Sequence, residues 1–212
     1  SFCPTKKRVL MKYFLRFFSV LMHPLFMPLL GVVIYFSVTP KFVPPSFMYA
    51  KLFAISILTI VVPVLFYFLL ESVKLVSSVH LKEVKERRIP LLVQIGLLLL
   101  IVRIIINGYE FPELYIFFLG ILITAATAFI LSLLNFKTSL HMVGIAGVLF
   151  FVMALSMIYN ANYLMIIGLL VIAIGLTAAS RLELKAHTMT ELVVGVLVGG
   201  LPQLLVFYFY KM

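Results

Sequence analysis

Met142-Val-Gly-Ile-Ala-Gly-Val-Leu-Phe-Phe-Val-Met-Ala-Leu-Ser-Met-Ile-Tyr159 runs for 18 residues without a charge. As an α-helix rising ~1.5 Å per residue it nearly crosses the ~30 Å hydrocarbon core of a bilayer. Similar runs lie on both sides of it, and the apolar stretches predict seven spans, at about 17–38, 52–73, 90–107, 113–134, 142–159, 163–179 and 188–209. The fold expected is therefore an all-α transmembrane bundle of about six or seven membrane-spanning helices.

Composition agrees. The chain is 64% hydrophobic and 11% charged, with a mean hydropathy of +1.23, whereas soluble domains are roughly 45–50% apolar and about 25% charged. The spans use up its 212 residues, so residues 1–212 are read as one integral membrane domain with the bilayer as its solvent. The net charge of +10 would suggest nucleic acid in a soluble protein. With no recognition fold or stacking motif it is better explained by basic residues flanking apolar spans, and nucleic acid is set aside.

Residues 5–22 interleave Lys6, Lys7, Arg8, Lys12 and Arg16 with Leu, Phe and Val, the pattern of an amphipathic N-terminal helix lying at the membrane interface. His23-Pro24 and Pro28 predict a kink at the start of the first span. His23 reads as a buried structural or interfacial histidine, and Cys3, the single cysteine, as an incidental tail thiol. No signal peptide with a small-residue cleavage site is evident. Arg103, near the end of the short third span, is expected to snorkel to the interface.

Counting crossings places chemistry. The segments around Lys82–Arg88, His141 and His187 follow two, four and six spans, so all return to the face on which the chain starts. That face gathers Lys82, Lys85, Arg87, Arg88, Ser139, His141, Arg181, Lys185, His187 and Glu191. Such a set suits a phosphate ligand: guanidinium forks and ammonium groups stabilise its oxygens, and histidine serves as nucleophile or general acid. Four residues apart, His187 and Glu191 stack on one helical face, so the carboxylate can orient the imidazole. Gly195 and Gly199-Gly200 keep the last helix slim for close packing.

These residues resemble the motifs of the type 2 phosphatidic acid phosphatases. Ser180-Arg181-Leu-Glu-Leu-Lys-Ala-His187-Thr-Met-Thr-Glu191 keeps every spacing of the family's third motif, with Glu where the family has Asp. Thr138-Ser139-Leu140-His141 keeps the Ser and His of the second motif without its Pro and Gly. Of the first motif, Lys82 and Pro90 are correctly spaced, while Ile89 occupies the arginine position and Arg88 stands one residue early. The motif region spans 82–195. The resemblance implies a membrane-embedded, metal-independent lipid phosphate phosphatase working through a phosphohistidine. It implies His187 as nucleophile, Glu191 as its orienter and His141 as general acid, with Lys82, Arg88, Ser139 and Arg181 holding phosphate. The partner it implies is a phosphorylated membrane lipid, and it implies no metal or other cofactor.

Two other readings use the same residues: a catalytically degenerate relative acting as a lipid-binding or structural subunit, and a transporter. Against the latter, the spans are nearly free of ionisable residues apart from Arg103. Magnesium-dependent lipid enzymes need aspartate clusters, and all seven acidic residues here are Glu, so that class is set aside. Of the 17 Lys and Arg, only Lys41, Lys51 and Lys211 fall on the face opposite the motifs, and Arg103 lies in a span. The positive-inside rule then puts the motif face in the cytoplasm, at a bacterial inner membrane. The resemblance pulls the other way, since many bacterial members of that family act on the outer face.

Overall fold

The apolar runs fold into helices. The computed structural model describes residues 6–74 and 84–211, with no strand among them. The helices are α1 Lys6–Leu21, α2 Met27–Val38, α3 Pro45–Ser56, α4 Val62–Ser72, α5 Arg88–Leu100, α6 Pro112–Leu133, α7 Leu140–Ile158, α8 Leu164–Glu183 and α9 Met189–Lys211. Seven stretches are long and apolar enough to cross a membrane, and the chain is an integral membrane protein.

The second and sixth spans run well past the bounds that the apolar runs predict. The second starts at Pro45 rather than 52, because proline fits the first turn of a helix and because Lys51 does not end it: its Nζ donates to the Ile105 carbonyl. The sixth continues past 179 through Glu183. Ser180 and Arg181 are thus helical rather than part of a loop, since both find partners on α1.

Prolines account for much of the irregular backbone. At His23-Pro24 the expected kink is a break, with a 3-10 turn over Pro24–Phe26 separating α1 from α2. Pro63 has no N–H and its ring crowds the carbonyl four residues back. The helix widens into a π turn over Ile57–Val61 just before it, and Thr59 Oγ1 donates to the Ile55 carbonyl at 2.8 Å. Pro202 leaves the Val198 carbonyl without its helical donor, and Thr124 Oγ1 on α6 supplies one at 3.2 Å, as is needed where no water is available. Arg103 is exposed in the π turn Ile101–Ile105 that closes the third span.

Of the most apolar part of α7, 61% is buried, against 11% for the span Pro45–Ser72, so α7 is the axis of the bundle. It runs parallel to α9 at backbone contact. A Cβ on Gly199 would lie 2.2 Å from the Val143 carbonyl oxygen, and one on Gly195 2.9 Å from Met142 Cβ. Only glycine allows that approach. The two helix starts are consequently fixed side by side, with Ser139 N donating to the Glu191 carbonyl at 3.4 Å.

The odd-numbered crossings meet at the other end. Glu113, buried in the first turn of α6, accepts from Lys41 Nζ on both carboxylate oxygens at 3.2 Å and from Tyr35 OH at 3.1 Å. Tyr163 OH donates to the Val38 carbonyl at 3.0 Å. A buried carboxylate satisfied in this way is a fastening between helix ends. With that end identified, the even-numbered ends form the opposite face.

Candidate functional site

Three helix N-termini, those of α5, α7 and α9, face the motif end together with the C-terminal turns of α1 and α8. Helix N-termini present unpaired N–H groups and a partial positive charge, so this end favours an anion before any side chain is considered. His141 is the second residue of α7. Arg181 lies in the last turn of α8. The loop after it reverses at Lys185, in the left-handed region at φ 50°, with Ala186 N donating to the Arg181 carbonyl at 3.0 Å. That turn brings His187 back to the start of α9.

Side chains from these ends line one cavity of about 580 Å³. Its polar end is formed by Ser19, His23, Arg87, His141, Arg181 and His187. The rest is apolar, walled by residues such as Leu91, Leu98, Phe117, Ala125 and Val148, and reaches Gln203 deep between the helices. Val20 and Phe68 line it as well, and they are 66% and 58% exposed. The cavity therefore opens at the protein surface between α1 and α4. A charged head with an apolar body is the shape of an amphiphile.

His187 is nearly buried, with 4% of its side chain exposed. Its Nδ1 lies 2.7 Å from Glu191 Oε2, which engages that nitrogen and leaves Nε2 as the ring's other basic site. Burial lowers its pKa below the usual histidine range, although the Glu191 hydrogen bond opposes the shift. The imidazole is then neutral near pH 7, the form that carries a nucleophilic lone pair.

Glu191 has a second task. Its Oε2 accepts from Thr188 N at 3.3 Å, and its own N donates to Thr188 Oγ1 at 3.4 Å, the reciprocal arrangement of a capping box at the start of α9. Glu191 borders a shallower recess with Lys137 and Lys185 rather than the main cavity, and His187 borders both. Lys137 Nζ donates to the Ala186 carbonyl at 3.1 Å, and burial lowers its pKa.

Other residues singled out in the sequence are placed differently. Arg88 does not reach the cavity: its guanidinium turns to the end of α6, donating to the Ser132 carbonyl at 3.2 Å and to Asn135 Oδ1 at 3.1 Å. Arg87, one residue earlier, lines the cavity and donates to the Thr138 carbonyl at 2.9 Å. Ser139 is fully buried, and its Oγ has no hydrogen-bond partner among the described residues. Lys82 lies outside the described residues. Among the latter, no three His, Cys, Asp or Glu side chains are grouped to share a metal ion.

The sequence reading passed over Ser19 and left His23 as a buried structural or interfacial histidine, outside the site. Arg181 Nη1 donates to Ser19 Oγ at 2.6 Å, and the His23 ring stands edge-on to His141 with centroids 5.3 Å apart. The signal for both was the crossing count: zero spans precede them, so they share the motif face.

No family model matches the chain, and neither does any curated protein or solved structure.

Proposed function

We propose that this protein is a lipid phosphate phosphatase, a divergent counterpart of the type 2 phosphatidic acid phosphatases, acting on a phosphorylated membrane lipid through a phosphohistidine. One observation carries the reading: His187, oriented by Glu191, shares the polar end of an amphiphile-shaped cavity with His141, Arg87 and Arg181.

In this reading the lipid enters from the bilayer and its phosphate settles among the arginines. The His187 Nε2 lone pair attacks phosphorus and the P–O bond to the lipid breaks. The bound phosphate's negative charge lets His141 take up a proton from the phosphate monoanion or water, and the imidazolium gives that proton to the departing oxygen, so that the lipid alcohol leaves. Water then attacks the phosphohistidine, its proton passing to His141, and free phosphate and neutral His187 are regenerated. Arginine forks stabilise charge on the equatorial oxygens throughout. Glu191 keeps one His187 tautomer and supports the positive charge on the phosphorylated ring. Nothing in the cycle calls on a metal.

The test is phosphate release by purified protein from phosphatidate, phosphatidylglycerol phosphate and polyprenyl phosphates, wild type beside His187→Ala. Release that depends on His187 is expected, and equal rates would end the enzyme reading. A second reading, a headgroup-binding protein without turnover, draws on Glu191 serving as a helix cap and on Arg88 lying outside the cavity. It is recognised by binding of these lipids without phosphate release.

The motif face is proposed to lie in the cytoplasm, on the basic-residue count, and the membrane to be a bacterial inner membrane, on the resemblance alone. With Cys3→Ala as background, a cysteine introduced at 135–137 should escape an impermeant thiol reagent in intact cells. Labelling there would place the face outside.

A further inference from the structure

Arg181 and His141 belong to α8 and α7, yet both are gripped by a third element that none of the motifs includes. The end of α1 lies across the last turn of α8: Ser180 Oγ donates to the Leu15 carbonyl at 2.8 Å, and one residue on, Arg181 Nη1 donates to Ser19 Oγ at 2.6 Å. Ser19 is 5% exposed, so its hydroxyl is largely shielded from bulk water. His141 and Ser19 line the same cavity. His23, four residues on and past the end of α1, stands edge-on to the His141 ring. His23 Nδ1 accepts from Leu25 N at 3.3 Å, so its neutral ring carries the proton on Nε2.

We infer that the segment 19–23 is a working part of the anion site, with Ser19 the residue that positions Arg181. This rests on the phosphatase reading above and adds an element to it. A guanidinium is a rigid fork of five donors. Holding Nη1 on Ser19 fixes the plane of that fork while Nε, buried and without a hydrogen-bond partner among the described residues, stays available to a ligand oxygen. Without the hydroxyl, the long side chain is free to turn, and anion binding weakens through lost preorganisation rather than lost charge.

Wild type, Ser19→Ala and Ser19→Thr are compared as full-length purified protein. The readouts are the melting midpoint without ligand, its rise with orthovanadate, and KM and kcat for phosphate release. Ser19→Ala should raise the orthovanadate Kd and the KM roughly tenfold, the size expected for a hydrogen bond to a charged group, with a smaller change in kcat. Ser19→Thr, which keeps the hydroxyl, should return to within about threefold of wild type on the same grounds. The ligand-free midpoint of Ser19→Thr should match wild type, and that of Ser19→Ala should fall by only a few degrees, as loss of one hydrogen bond does. Orthovanadate affinity and KM unchanged in Ser19→Ala would overturn the inference. So would equal losses in both variants with lowered midpoints, which would make Ser19 a packing residue. A wild type that neither releases phosphate nor responds to orthovanadate would overturn the phosphatase reading and this one with it.

Discussion

Glu191 offers the sharpest single test, because the structure gives it two roles that substitutions can separate. Its Oε2 engages His187 Nδ1 at 2.7 Å and accepts from Thr188 N at 3.3 Å, while Thr188 Oγ1 accepts from Glu191 N. Thr188→Ala removes half of the capping box and leaves the His187–Glu191 pair intact. Losing such a cap costs about 1 kcal/mol, which lowers the melting midpoint of a chain of this size by roughly 2–4 °C. Turnover should stay within a few-fold. Glu191→Gln does the opposite. The amide oxygen can still accept from Thr188 N, so the midpoint should move by no more than about 1 kcal/mol equivalent, the difference between charged and neutral hydrogen bonds. The charge that supports a positive imidazole is gone, however, and kcat should fall ~10²-fold, the lower range for groups that assist proton transfer and orientation. Thermal melting in detergent and phosphate release on the same preparations give both columns. If Glu191→Gln keeps full turnover, or if Thr188→Ala loses as much turnover as Glu191→Gln, the carboxylate is a helix cap and the orienting role is wrong.

Gly199→Ala should lower the melting midpoint by about 1–3 kcal/mol equivalent, as overpacking does, since the new Cβ would meet the Val143 carbonyl at 2.2 Å, whereas Gly175→Ala meets nothing within 4 Å and should be neutral or mildly stabilising. Arg87→Ala should raise KM at least tenfold by removing a charged donor from the cavity, on the scale of about 1.5–3 kcal/mol for such bonds, while Arg88→Ala should leave KM unchanged and slightly lower the midpoint; a reversed order would return the phosphate role to Arg88. Acid should destabilise the protein through His187. Its folded pKa is depressed from 6.5 by burial, so below about pH 6.5 the unfolded chain binds the proton first and the stability held at pH 7 is progressively lost, until the folded pKa is passed. His187→Gln should flatten that part of the midpoint-against-pH curve, and an unchanged slope would refute the assignment.

Much of this protein is legible in its amino-acid order because a bilayer leaves a chain few choices. Runs such as 142–159 must be helices, since lipid offers no partner for an open backbone. Integer crossings then force the segments around Arg87, His141 and His187 onto one end, and the 187–191 spacing puts an imidazole on a carboxylate within one helical turn. The sequence alone thus determined the spans, the shared face and the histidine–glutamate pair. Tertiary structure decided what the face builds. Whether Arg87 or Arg88 enters the cavity is a matter of one residue, about 100° around a helix of 3.6 residues per turn, and that rotation is set by how α5 packs, to which hydropathy is blind. That α8 keeps its helix through Ser180 and Arg181 depends on partners at Leu15 and Ser19, more than 160 residues away. The cavity lies beside α7, which glycines let α9 touch, and it opens at the surface between α1 and α4. Contacts of that range follow from shape complementarity among several helices at once, and no local pattern encodes them.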